Sequence, residues 1–297
     1  MRLNARQRLV FAAFLLVFGI VYTWGIEAYF TSRVNGGNDL FIRYYAWRAF
    51  LLEGRDPYSP AVTHEIQDLI FGRTFNTGEA EVVYPLYAIA VQWPFLFLPW
   101  AWARAAYMVF CQLGIVAGVA LTAHLNKWKL GPALFAVTAL WAVLLYPEAR
   151  GIILGQIVIT QYLFAALALW LLHEKRDVWA GICLALTTVR PPAVYLFVPF
   201  LLVYTLVRRR WNFVWAFTGA MAVLLGGSFL VLPSWLGGWL AQIIYGGYSV
   251  GEITCPTRYE KESSSINLQR SIIYGLEVLR ISLTFRLDRW GLISSPM

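Results

Sequence analysis

Residues 173–210 read HEKRDVWAGICLALTTVRPPAVYLFVPFLLVYTLVRRR, and this stretch decides the fold. Two charged ends, 173–177 and 208–210, enclose residues 178–207, whose one charge is Arg190. A membrane-crossing helix needs about 20 mostly apolar residues, so the enclosed stretch is too short for two full crossings. Both ends carry basic residues, and short Lys/Arg-rich loops lie on the cytoplasmic side of a membrane. The chain must therefore leave that side and return to it. A hairpin of half-length helices bent at Arg190-Pro191-Pro192 satisfies both constraints, because proline cannot supply a helical N–H.

The same pattern extends outward. Charge-free stretches cover 9–26, 82–103, 105–123, 130–147, 151–172 and 211–251, in a chain that is 59% hydrophobic and 13% charged. A soluble domain carries about 25% charged residues, so the composition points to an all-α, polytopic membrane protein. The first stretch is long enough to cross, and Glu27-Ala28-Tyr29-Phe30 is a poor cleavage site, so it reads as a retained span. The net charge of +8 does not indicate nucleic acid. Its cations sit at Arg2, Arg6 and Arg8, at Lys127 and Lys129, at Lys175 and Arg176, and at Arg208–Arg210. They flank apolar segments and form no stripe on a soluble domain. Cys111, Cys183 and Cys255 lack metal or disulfide spacing, and His64, His124 and His173 are scattered, so no metal site is expected.

With a cytoplasmic N-terminus, 8–30 crosses outward and 31–81 forms a long polar outer loop. Within it, 38–53 is an aromatic-rich amphipathic helix suited to the membrane interface. Segment 82–100 holds Pro85, Pro94 and Pro99. Residues 103–124 must end inside at Lys127 and Lys129, so 82–100 enters and leaves on the outer face as a re-entrant or interfacial segment. Residues 131–147 go out, 148–156 turn, 157–172 return, the hairpin follows, and 211–232 cross outward to a second outer region, 233–297. The expectation is a single membrane domain over 1–297 with about seven transmembrane segments and a first extracytoplasmic loop over 31–101.

Four groups of residues carry chemistry in this reading. Asp39 follows a Gly-Gly-Asn turn at the outer surface, where it is either a helix cap or a base for an acceptor hydroxyl. Arg190 is a charge within a membrane segment, which costs at least about 2.5–3.5 kcal/mol on insertion scales. It either snorkels to the interface or binds phosphate. Gln156 and Gln161, with Thr160 beside the latter, hydrogen-bond a sugar or glue helices together. Tyr44, Tyr45, Tyr58 and Tyr84 cluster in the outer loop and suit both an interface and a sugar face.

Taken in order, three runs resemble the first outer loop of glycosyltransferase family 87. They are Asp39-Leu40-Phe41-Ile42-Arg43-Tyr44-Tyr45-Ala46, Gly54-Arg55-Asp56-Pro57-Tyr58 and Val83-Tyr84-Pro85-Leu86. Gly155-Gln156 is similar to that family's Gly-Gln turn. Ala180-Gly181 through Val189-Arg190-Pro191-Pro192 is similar to its following helix pair, with arginine where lysine is usual. The resemblance covers residues 8–232. It implies a GT-C-like helical bundle in the plasma (inner) membrane, with its active site on the extracytoplasmic face. The donor it implies is a polyprenyl-phosphate-linked hexose, commonly mannose, with a lipid or glycan acceptor and no further cofactor. Asp39 would act as base in a single inverting displacement, and Arg190 would neutralise the departing phosphate. Such a displacement needs one carboxylate at the reacting centre. Ile266-Asn267-Leu268-Gln269-Arg270-Ser271 echoes a substrate-binding stretch of the family, which makes Asn267 a candidate. Members usually run longer past this point, which leaves room for a partner subunit on the acceptor side. The alternative from composition alone is a transporter or lipid-linked-sugar flippase, since broken helices around a buried charge also suit alternating access.

Overall fold

The computed structural model describes residues 5–34, 36–72 and 80–248, and every regular element among them is helical. Helix α1 (Ala5–Ile26) runs into a π turn at Glu27–Thr31, followed by α2 (Asn38–Glu53) and α3 (Pro60–Phe71). A 3-10 turn at Leu86–Ala88 leads into the short α4 (Ile89–Leu96). The bundle proper comprises α5 (Trp100–Leu125), α6 (Pro132–Leu144), α7 (Tyr146–Leu154), α8 (Val158–His173), α9 (Asp177–Leu186), α10 (Phe197–Val207) and α11 (Trp211–Val231). Helix α12 (Trp235–Tyr248) follows.

Among the described residues, α5 and α11 are each long and apolar enough to cross a membrane, and α6 with α7 forms a pair bent by 60° that passes jointly. Of the other segments expected, α1 has 22 residues and the rest are shorter. Helix α8 has 16 residues, about 24 Å at 1.5 Å per residue against a hydrocarbon core of about 30 Å. Helices α9 and α10 have 10 and 11 residues. They meet at a break made of two 3-10 turns, Thr187–Val189 and Pro191–Ala193, with Arg190 between them. This is the half-helix hairpin expected from 173–210.

Close approaches fix which helices run together. Gly114 and Gly118 on α5 let Leu163 and Tyr162 of α8 come near the backbone, a small-residue seam typical of membrane helices. Tyr107 on α5 meets Thr160 early in α8, and His124 meets Glu174 at the far ends. The two helices are therefore parallel. Gly181 does the same for α9 and α11, because an added Cβ would lie 2.5 Å from the Phe213 carbonyl. Arg210 grips Asp177 through two N–H donors at the start of that pair. The bundle thus has two distinct ends. One carries the cations of 127–129, 175–176 and 208–210; the other carries the long loop.

Helix α2 has the bounds expected of it, yet it is embedded in protein along one face. Leu40, Arg43, Tyr44, Trp47 and Ala49 are buried, while Leu51 and Leu52 at its C-terminal end stay exposed. Helix α4, with Pro94 inside it, is too short to span and packs on α2 and α5. Helix α12 closes over the same loop. Its Gln242 accepts from the Val82 N–H at 2.7 Å and donates to the Tyr58 carbonyl at 3.0 Å and the Thr63 hydroxyl at 3.2 Å.

Candidate active site

The approach to Asp39 is built on glycine. Gly36 (φ 153°) and Gly37 (φ 84°) occupy backbone conformations that side chains resist. Both lie on Arg104 of α5; a Cβ on Gly36 would sit 2.9 Å from its Nη2. Arg104 is nearly buried and donates from Nη1 to the Val34 carbonyl at 2.8 Å and more weakly to that of Thr31. Helix α2 then starts with Gly37 as its N-cap and no side-chain cap. Asp39 is the second helical residue, so it does not cap the helix. Its carboxylate is half-exposed and has no hydrogen bond or ion pair among the described residues.

The next residue, Leu40, sets the neighbour. Gly155 takes a left-handed conformation (φ 74°), and a Cβ there would fall 2.5 Å from the Leu40 Cβ. The Gly155-Gln156 turn closes α7 with the Gln156 N–H bonded to the Gly151 carbonyl at 2.8 Å. Gln156 accepts weakly from the Tyr107 hydroxyl through its backbone carbonyl. Its side-chain amide makes no hydrogen bond among the described residues.

Arg43, one helical turn beyond Asp39, is fully buried with no carboxylate bonded to it. Its Nη2 donates to the Gly155 carbonyl, its Nε to Gln92 Oε1 at 3.1 Å, and its guanidinium lies 4.8 Å from the centre of the Tyr84 ring. Nη1 of Arg43 and the amide nitrogen of Gln92 are buried without a partner among the described residues. Sequence reasoning placed Arg43 among the polar residues of an interfacial helix. The usable signal was its spacing, since 40, 43, 44 and 47 form one helical stripe.

The hairpin tip is fixed by Gln161. The proline pair interrupts the helical hydrogen bonds, and the Gln161 amide donates to the Thr187 carbonyl at 2.6 Å and to that of Arg190 at 3.0 Å. Gln161 therefore acts as glue, and what it glues is the backbone of Arg190. The Arg190 side chain is half-buried and has no hydrogen bond or ion pair among the described residues. Tyr87 joins the loop to this tip, its hydroxyl donating to the Thr188 carbonyl at 3.1 Å.

Three of the four loop tyrosines use their hydroxyls within the protein. Tyr44 donates to the Leu98 carbonyl at 2.7 Å, Tyr45 to Glu65 at 2.8 Å, and Tyr58 to the Tyr84 carbonyl at 2.8 Å. Burial pushes the Tyr58 phenol well above its usual range. Hydrogen bonds from Arg55 and Tyr45 hold the Glu65 carboxyl below the usual carboxylate range. Tyr84 stacks on Arg43 and keeps its own hydroxyl free of protein partners among the described residues. Asn267 lies outside the described residues.

One end of the bundle thus brings Leu40, the residue after Asp39, onto the Gly155-Gln156 turn, and the Arg190 backbone to Gln161 in the first turn of α8. That end therefore holds a carboxylate and a guanidinium without a hydrogen bond or ion pair among the described residues. The chain belongs to glycosyltransferase family 87: that family's model matches residues 83–269, well over half of the chain. Neither the curated proteins nor the solved structures contain a match. The matched stretch includes Tyr84, Gln156, Gln161 and Arg190; it begins after Asp39, whose place is set by the geometry above. The protein is a membrane glycosyltransferase.

Proposed function

We propose that this enzyme moves a hexose, in the first instance mannose, from a polyprenyl-phosphate donor to a lipid or glycan hydroxyl with inversion at the anomeric carbon. The observation that carries the reading is the carboxylate of Asp39, which has no cap bond and no ion pair among the described residues. In the proposed step Asp39 takes the acceptor's hydroxyl proton as that oxygen bonds to the anomeric carbon. The bond from that carbon to the phosphate oxygen breaks, and its electron pair leaves with the lipid phosphate. Arg190 stabilises the charge growing there. Gln156 and Tyr84, with free polar groups nearby in the fold, hydrogen-bond the sugar. Tyr44, Tyr45 and Tyr58 hold the frame. The reading uses no cofactor beyond the lipid-linked donor.

The orientation in this proposal follows the cations. The Lys/Arg-rich end faces the cytoplasm and the Asp39 end faces outward across the inner membrane. Helices α1, α5, α6 with α7, α8, the two halves of the hairpin and α11 make the seven segments, with the bilayer thinned around the shorter ones. The broken α9–α10 hairpin also suits a transporter of lipid-linked sugars, so the test must separate the two. Purified protein in proteoliposomes is given a panel of polyprenyl-phosphate hexoses and a membrane-lipid acceptor extract. The expected result is a glycosidic product by mass spectrometry. Counterflow of donor with no such product would favour the transporter.

A further inference from the structure

The opposite end of the bundle carries a second site. Three helices end there, α5, α8 and α10, and each closes with the same motif. The backbone N–H groups of Trp128, Arg176 and Arg210 reach back to the carbonyls of Ala123, Leu171 and Thr205 at 2.9, 2.8 and 2.9 Å. The residue before each, Lys127, Lys175 and Arg209, is left-handed with φ of 55°, 59° and 55°. Glycine or asparagine usually fills that position, because a side chain there is strained. All three sites hold a long cation instead.

Between these helix ends lies a cavity of about 790 Å³. Leu172 and Leu201 form its buried floor, and Leu169, Phe200 and Tyr204 form exposed apolar walls. Lys175 stands at its mouth and also lines an adjoining cavity of about 420 Å³ with Arg176. Of the acidic groups nearby, one is tied up in an ion pair. Asp177 is held by Arg210, and Glu174 lies 3.7 Å from His124. Arg208 lies over the Tyr204 ring at 5.7 Å. Lys175, Arg176 and Arg208 have no ion pair among the described residues. A soluble anion needs only the charged mouth. An apolar groove of this size below a cationic mouth matches a molecule that has an acyl chain as well as a phosphate.

We propose that this groove binds an anionic glycerophospholipid, with its acyl chain along Leu169, Phe200 and Leu201 and its phosphate at Lys175 and Arg176. The site is independent of the catalytic reading, since it lies at the other end of the bundle.

Native mass spectrometry of the purified full chain, titrated with dioleoyl phosphatidylglycerol or dioleoyl phosphatidylcholine, tests this. Phosphatidylglycerol is expected to be retained several-fold better. Lys175→Gly removes the charge and suits the left-handed backbone. It should lower that retention several-fold while leaving the melting temperature in lipid-free detergent equal or higher. Lys175→Asn replaces it if the glycine variant is unstable. Leu169→Trp, which fills the groove, should also lower retention. Equal retention of the two lipids, or unchanged retention in the Lys175 variants, overturns the proposal. So does full competition by glycerol phosphate, which has the charge and no chain.

Discussion

Asp39 and Arg190 are both charged side chains at the loop end of a membrane bundle, without a hydrogen bond or ion pair among the described residues. If Arg190 meets a phosphate, charge is what it must supply, so Arg190→Lys should keep much of the activity. Arg190→Leu should lose about 10²–10³ in kcat, the usual cost of removing one stabilising donor. Equal turnover for the two variants would remove Arg190 from the chemistry. Arg43 is the contrasting residue. It is a fully buried guanidinium, and its donors serve the Gly155 carbonyl and Gln92. Arg43→Met should leave those acceptors unpaired and cost about 1–3 kcal/mol each, read as a lower melting temperature in detergent. The contrast shows what a sequence displays at this scale. A lone charge inside an apolar run announces itself, as Arg190 did. A charge followed by two tyrosines in a polar loop does not, because only tertiary packing turns α2 inward.

At the scale of elements, the hairpin is the part most legible in the sequence. The Arg-Pro-Pro break and the cations at both ends leave few alternatives, and α9 and α10 end within a few residues of the expected bend. The bounds of α2 were likewise readable, because Gly36-Gly37 and Gly54 bracket an uninterrupted helical run. What supports these elements was less so. Gln161 read equally well as sugar ligand and as glue, and the choice depended on two carbonyls more than twenty residues away. Gln161→Leu should therefore reduce kcat while leaving Arg190 in place, by loosening the tip. A wild-type kcat in this variant would mean that the prolines alone hold the hairpin. The clasp of α12 on the loop through Gln242 joins positions far apart in the chain, and no local pattern encodes such a pairing.

For the whole molecule, charge placement gave the two ends, and the parallel pairs α5–α8 and α9–α11 agree with them. Hydropathy alone does not show where helices break, since apolar runs continue through turns that interrupt the helices. The bend between α6 and α7 and the break at Arg190 are examples. The two ends of the bundle carry different features. One end holds the candidate active site and the other the proposed lipid groove. Phosphatidylglycerol preference should accordingly survive substitutions at Asp39.

The most direct test of the account is single-turnover transfer from a radiolabelled polyprenyl-phosphate hexose by purified wild-type protein and the Asp39→Asn variant, matched for melting temperature. General-base catalysis is worth about 10²–10⁴ in rate. The account predicts a loss of that order in the variant, with donor binding retained. Transfer by Asp39→Asn at the wild-type rate would contradict it.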